Sequence, residues 1–132
     1  MTWLAVAFGG AIGSMLRYGV SLAALQGYLG NPNAAFPLGT FLINVVGSFV
    51  MGLLWGWQSA APTAWSPALR GAVFSGLLGG FTTFSAFSLE GLQLFRSGQQ
   101  TMALTYLGSS VLVGTAAAAL GFWMGQRLNN NI

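Results

Sequence analysis

The sequence contains no histidine, cysteine or lysine, and its only acidic side chain is that of Glu90. Without histidine and cysteine, the chain cannot build the usual zinc sites, disulfides, cysteine nucleophiles or serine–histidine–aspartate triads. A single carboxylate also excludes hydrolysis by a pair of carboxylates. The sequence therefore predicts a protein that is not an enzyme and needs no organic cofactor.

Charged residues make up only 4% of the 132 residues, whereas 55% are hydrophobic. A soluble domain normally carries about a quarter charged residues, so this chain has too few to cover a surface that faces water. The lipid bilayer is the alternative solvent, and we expect membrane lipid around an integral membrane protein. The basic residues are scattered, which argues against a nucleic-acid partner; they are Arg17, Arg70, Arg96 and Arg127.

Three polar, turn-rich stretches divide the chain into four long apolar runs. The stretches are Gly27–Pro37, Gln58–Pro67 and Arg96–Thr101. The second run is long enough for about 30 Å of helix, which matches a hydrocarbon core. The sequence predicts an all-α membrane protein with one transmembrane domain over residues 1–132. Its four predicted helices cover residues 2–26, 38–57, 68–95 and 102–124.

The third run is predicted to break inside the bilayer, near residues 79–84. As one helix it would exceed about 40 Å, and the pairs Gly79–Gly80 and Thr82–Thr83 are poor helix formers. A break frees backbone amides and carbonyls, and broken helices at mid-membrane are a recurring way to build ion sites. The alternative is a continuous helix whose glycines serve packing.

The glycines and arginines bear on assembly. Four GxxxG spacings predict close helix packing, and since four short helices enclose little space, we infer an oligomer. The arginines divide two against two between the ends of the molecule, so the positive-inside rule gives no preferred orientation. This balance fits insertion both ways up and antiparallel pairing, unless other features set the orientation. The spacings are Gly9/Gly13, Gly52/Gly56, Gly76/Gly80 and Gly121/Gly125.

Polar side chains inside apolar spans are functional candidates. In the second run, Thr40, Asn44 and Ser48 recur every four residues and form one stripe. In the fourth run, Tyr106 and Ser110 share a face. The alternative for each hydroxyl is a hydrogen bond to the backbone of its own helix. Further hydroxyls cluster around the predicted break: Thr82, Thr83, Ser85 and Ser88.

These groups are neutral and most can donate hydrogen bonds, while Arg17 adds a positive charge, so the set suits a small anion. A cation path would usually show carboxylates. Glu90 lies six positions from Arg96 and could simply neutralise it. Phe84 and Phe87 lie one turn apart, which fits core packing or, alternatively, ring edges that contact an anion.

Four segments together resemble the Fluc/CrcB family of fluoride channels. They are GGAIGSMLRY (Gly9–Tyr18), GTFLINVVGS (Gly39–Ser48), GGFTTFSAFSLE (Gly79–Glu90) and TYLGSS (Thr105–Ser110). The resemblance implies an antiparallel, dual-topology homodimer with two fluoride pores along the subunit interface. Such a protein passively exports toxic fluoride from the bacterial cytoplasm, as a multi-pass protein of the inner membrane.

The resemblance also assigns roles to residues. It implies pore phenylalanines at Phe84 and Phe87, and a structural sodium ion at the dimer centre bound by the backbone carbonyls of Gly79 and Thr82. We further expect the hydroxyls of Thr83 and Ser85 to contribute to the path. The other implied residues are Asn44 and Thr40 in the pore, Tyr106 and Ser110 on a polar track, and Arg17 and Glu90 in the vestibule.

The chain departs from the family pattern at three positions. Ala86 stands where a threonine is expected, Gly114 stands where a further hydroxyl would extend the track of Tyr106 and Ser110, and Ser48 replaces a frequent glycine. These departures concern the finer lining of the track.

Two other functions compete with the channel. A small proton-coupled multidrug exporter is also short and four-helical, but it needs a glutamate in its first helix. Here the first helix holds Arg17 and no acid. A glycine-rich scaffold subunit is the second competitor, and it would leave the polar stripes unexplained.

Overall fold

The computed structural model describes residues 1–60 and 64–130, which are helical apart from turns and two extended residues. Four spans are long and apolar enough to cross a membrane, so the predicted all-α architecture with four such helices is confirmed. We number them the first to the fourth span in chain order: Thr2–Leu25, Leu38–Ser59, Pro67–Arg96 and Gln100–Leu128. The helices are α1 (Thr2–Leu25), α2 (Leu38–Ala60), α3 (Pro67–Arg70), a π-helix (Gly71–Leu78), α4 (Gly79–Phe81), α5 (Phe84–Arg96) and α6 (Gln100–Asn130).

The turns lie where glycine permits a left-handed backbone. Gly27, just past α1, has a φ of 83°, and Gly98, between α5 and α6, has a φ of 79°. Only glycine adopts such angles without steric cost, which makes it the usual residue after a helix end. Before the third span, Ser66 caps α3 by accepting a hydrogen bond of 3.2 Å from the amide of Leu69. Residues 61–63 of the predicted turn Gln58–Pro67 lie outside the described residues.

The third span contains two changes of backbone geometry. Its first half is a π-helix over Gly71–Leu78 rather than an α-helix. After the short α4, Thr82 (φ −76°, ψ 159°) and Thr83 (φ −149°, ψ 118°) are extended, and α5 then begins at Phe84. The Thr83 hydroxyl caps α5 by accepting a hydrogen bond of 3.2 Å from the amide of Ala86, as threonine commonly does at a helix start.

Glycines bring the second and fourth spans into direct backbone contact. A Cβ added to Gly52 would overlap the carbonyl of Ala118. A Cβ added to Gly56, one turn later, would overlap the carbonyl of Phe122. Because a step of four residues along the second span is matched by a step of four in the same direction along the fourth, these two spans run parallel. Gly121 and Gly125 lie at the same contact, so small residues line both sides of it.

The first and third spans form the second parallel pair. A Cβ added to Gly9 would overlap the carbonyl of Ala72, and one added to Gly13 would overlap the carbonyl of Leu77. Gly76 and Gly80 lie against the backbone of α1 in the same way. The close packing predicted from all four GxxxG spacings is therefore confirmed.

The buried core is small and lies at the end of the molecule where α5 meets α6. Tyr106 is its largest fully buried side chain, and Ile43 of α2 is fully buried outside this cluster. Tyr106 packs with Leu94 and Ala103, and Phe87 covers this cluster from one side. Large apolar side chains elsewhere point outward, as expected of helices whose surroundings are lipid.

Candidate functional site

Asn44 joins the second span to the two extended residues of the third span. Its Nδ2 donates a hydrogen bond of 3.0 Å to the Thr83 carbonyl, and its Oδ1 accepts one of 2.9 Å from the Thr83 amide. The extended conformation leaves the Thr83 amide without a helical acceptor, and an apolar surrounding would make an unpaired amide costly. Asn44 thus satisfies this backbone, and one N–H of its side chain is committed to that bond.

Several backbone carbonyls lose their usual helical donors at the same place, among them those of Gly79 and Thr82. A helical carbonyl accepts from the amide four residues later. The amide four residues after Gly79 belongs to Thr83, which donates to Asn44. The amide four residues after Thr82 belongs to Ala86, which donates to the Thr83 hydroxyl. The carbonyls of Gly79 and Thr82 are therefore available to other partners.

Glu90 forms two hydrogen bonds with hydroxyl groups. The Thr40 hydroxyl donates to Oε1 over 2.8 Å, and the Tyr106 hydroxyl donates to Oε2 over 2.6 Å. Thr40 is 8% exposed and Tyr106 is fully buried. The carboxylate thus links the second, third and fourth spans. The sequence-based alternative, in which Glu90 neutralises Arg96, does not account for these contacts.

The other hydroxyls separate into two groups. Thr82 donates to the Leu78 carbonyl over 3.0 Å, and Ser88 donates to the Phe84 carbonyl over 2.9 Å. These two bond to their own helix, which is the ordinary use of such hydroxyls. Ser85 instead lies 3.4 Å from the Thr83 hydroxyl. Thr83 and Ser85 therefore form a small side-chain pair beside the extended residues.

Ser110 continues the buried polar face one turn beyond Tyr106. Its side chain is 9% exposed, and its Oγ has no hydrogen-bond partner among the described residues. One turn further, a Cβ at Gly114 would lie 3.7 Å from the Ser48 hydroxyl. The Ser48 hydroxyl of the second span therefore lies where a side chain at position 114 of the fourth span would point.

The two phenylalanines differ in exposure. Phe84 is 79% exposed, whereas Phe87 is partly buried. Their ring centroids are 5.7 Å apart with the planes inclined at 43°, and the Phe87 ring lies 5.4 Å from that of Tyr106. The rings of Phe84, Phe87 and Tyr106 are therefore in successive contact, from the exposed Phe84 to the buried Tyr106.

Arg17 lines a cavity of about 280 Å³ together with three other candidate polar residues. Thr40, Thr83 and Glu90 line the same cavity, as does Ala86. A second cavity of about 260 Å³, beneath the turn between α1 and α2, also includes Thr40 and Glu90. Glu90 thus lines both cavities, whereas Arg17 lines the first.

The sequence profile of the family described as CrcB-like protein, Camphor Resistance (CrcB), matches residues 4–122. The chain belongs to the CrcB family. This family membership confirms the resemblance on which the expected roles rest.

Relatives in the family carry a functional name. A protein of Hyphomonas neptunium named "Fluoride-specific ion channel FluC" is 45% identical over 126 residues, covering 96% of each chain. A protein of the same name in Novosphingobium aromaticivorans is 47% identical over 88% of this chain and 89% of the relative. Another, in Paracoccus denitrificans, is 43% identical over 96% of both chains. Together with the four spans, this similarity identifies a multi-pass membrane protein of a family of ion channels, not an enzyme.

Proposed function

We propose that the chain is a fluoride-selective channel that passively exports toxic fluoride from the bacterial cytoplasm. The observation that carries this proposal is a set of neutral hydrogen-bond donors near one arginine. Thr40 and Thr83 line the same cavity as Arg17, and Tyr106 of the fourth span is joined to Thr40 through Glu90. Neutral donors suit a small, strongly hydrated anion, which must exchange its water for protein donors of comparable strength. The name shared by the relatives supports fluoride as that anion.

Anions enter through the cavity that Arg17 lines. A positive charge in a cleft with apolar walls raises the local anion concentration. The same cavity exposes the Thr83 side chain and the carboxylate of Glu90. Arg17 therefore concentrates the anion at the point where the first hydroxyl donors begin.

Glu90 and fluoride compete for the same donors. The hydroxyls of Thr40 and Tyr106 both point at the carboxylate, so they already hold negatively charged oxygens. When the carboxylate turns away, both hydroxyls can donate to a fluoride ion without rearranging. Glu90 thus keeps the donors oriented between transfers, which limits the cost of ordering them.

The inner part of the path uses the remaining donors. Near the extended residues, the ion accepts hydrogen bonds from the second N–H of the Asn44 amide and from the hydroxyls of Thr83 and Ser85. Beyond Tyr106, it accepts one from the hydroxyl of Ser110. Phe84 and Phe87 present ring edges, which carry partial positive charge, in a stretch too apolar to hold much water.

The functional unit is an antiparallel homodimer with two pores along its interface, surrounded by membrane lipid. The high exposure of Phe84 supports this arrangement, because a pore residue needs a surface opposite it. The balance of two arginines against two between the ends supports insertion in both orientations. In such a dimer, the third span is broken within the membrane, at Thr82 and Thr83.

The available carbonyls fit a structural sodium ion at the dimer centre. Gly79 and Thr82 would supply two carbonyl oxygens from each subunit, and a two-fold axis would double the set. Unwound backbone carbonyls are the usual ligands of sodium in membrane proteins with broken helices. Among the described residues no group of acidic side chains could hold a metal instead. The ion would hold the two breaks together.

Survival of bacteria in fluoride tests the proposal in cells. A strain that lacks its own fluoride exporter should grow in millimolar fluoride when it expresses this chain. Expression of Asn44→Asp, at equal membrane abundance, serves as the matched control and should leave the strain sensitive. Equal sensitivity with and without the unaltered chain, at confirmed membrane abundance, would contradict fluoride export.

A further inference from the structure

An aromatic cluster with an arginine beside it occupies the end of the molecule where α2 stops and the third span starts. The rings of Trp57 and Trp65 have centroids 5.8 Å apart, and those of Trp65 and Phe74 are also 5.8 Å apart. Phe74 lies 5.5 Å from Trp55. The guanidinium of Arg70 lies 6.0 Å from the Trp55 ring centroid. We refer to these five residues as the Trp55 cluster.

The Trp55 cluster lies at the height of a membrane–water interface. The parallel pairs of spans put the start of the first span, the end of the second, the start of the third and the end of the fourth at one end of the molecule. All five tryptophans of the chain lie at this end, and tryptophan is enriched where acyl chains meet headgroups. They are Trp3, Trp55, Trp57, Trp65 and Trp123.

No acidic side chain of the same chain pairs with Arg70. The only acidic side chain of the sequence, that of Glu90, is hydrogen-bonded to Thr40 and Tyr106. Glu90 also belongs to the half of the third span that follows the break, whereas Arg70 precedes it. An anion from the surroundings is therefore the natural partner of this guanidinium.

The surface beside Arg70 is apolar and open. Trp55 is 49% exposed and Leu69 is 45% exposed, and Arg70 itself is exposed. A guanidinium pairs well with the oxygens of a phosphate, and exposed apolar side chains next to it suit a hydrocarbon chain. The guanidinium thus suits the phosphate of a lipid headgroup, and the apolar side chains beside it suit the acyl chain.

We propose that the Trp55 cluster binds a phospholipid with an anionic headgroup. Arg70 contacts the phosphate, and the acyl chain lies along Trp55 and Leu69. This site is separate from the proposed ion path and does not depend on it. Arg127, at the same end, provides a built-in comparison, because its guanidinium lies only 3.9 Å from the ring of Trp123 in the same helix.

Lipid binding to the purified full-length protein tests the site. Native mass spectrometry in detergent measures the dissociation constants of phosphatidylglycerol and of phosphatidylcholine with the same acyl chains. Phosphatidylglycerol should bind more tightly. Arg70→Gln should weaken its binding about five-fold, the effect expected of one arginine near an anionic surface. Arg127→Gln removes the same charge at the same end and should change binding less than two-fold.

Several results would overturn the site. Equal binding of the two lipids would show that the site does not recognise an anionic headgroup. Equal losses of affinity in both arginine variants would show that the lipid responds to the general surface charge and not to Arg70. Inorganic phosphate that displaces the lipid at matched millimolar concentration would indicate an ion site without an acyl-chain contact. If Arg70→Gln fails to fold, Arg70→Met and Trp55→Leu replace it, and unchanged lipid binding in both would equally exclude the site.

Discussion

The side-chain amide of Asn44 has two functions in the proposed channel. It is hydrogen-bonded to both the amide and the carbonyl of Thr83, and its remaining N–H donates to the ion in the proposed path. The sequence placed Asn44 in a polar stripe because of its spacing from Thr40 and Ser48. Its bond to Thr83 could not be predicted, since 39 residues separate the partners and only the folded helices bring them together.

Replacement of Asn44 by aspartate should lower conduction more than folding. The carboxylate can still accept from the Thr83 amide, but it repels any approaching anion. A barrier raised by about 1.4 kcal/mol slows transfer ten-fold, and a nearby like charge raises it by at least that much, so fluoride flux through Asn44→Asp should fall about ten-fold or more. Flux from liposomes, normalised to folded protein by gel filtration, is the measurement. Asn44→Ala is the neutral control, and an unchanged flux in Asn44→Asp would contradict the role in the path.

The Ser48 hydroxyl offers a second test at the residue scale. Because it faces Gly114, Ser48→Ala should remove one donor from the track and slow fluoride flux about five-fold, as the loss of about 1 kcal/mol predicts. Ser48→Ala combined with Gly114→Ser should restore the flux by supplying the hydroxyl from the other helix. Equal flux in Ser48→Ala and the unaltered protein would show that this position carries no ion.

Among the elements, the third span differs most from a regular helix. Its π-helix over Gly71–Leu78 was not predicted from the sequence, because glycine and leucine content does not distinguish π from α geometry. The two extended threonines follow from local chemistry, since Thr83 can cap the next helix and Asn44 can satisfy the freed backbone. The glycine spacings identified the contacting faces of the spans, but not which spans form parallel pairs.

The contact of the second and fourth spans should depend on its glycines. Gly56→Val would push a side chain into the carbonyl of Phe122. Overpacking of this kind costs about 1–3 kcal/mol, so the melting temperature in detergent should fall measurably. Gly108→Val is the matched control, because a Cβ at Gly108 meets nothing within 4 Å. Similar melting temperatures for both variants would exclude a tight glycine contact at Gly56.

The whole molecule has too little core to stand alone in water, and its few buried polar side chains lie between the spans. Glu90, Thr40 and Tyr106 form the best-satisfied polar cluster, yet Phe84 beside the break is largely exposed. Composition predicted the membrane environment, because 4% charged residues cannot cover a soluble surface.

Fluoride release from liposomes that contain the purified protein tests the central claim most directly. An ion-selective electrode follows release after the membrane potential is clamped with a potassium ionophore, and chloride-loaded liposomes are the matched control. The account predicts fast fluoride release, negligible chloride release and neither in protein-free liposomes. Equal release of the two halides would contradict selectivity, and no fluoride release from folded protein would contradict the channel itself.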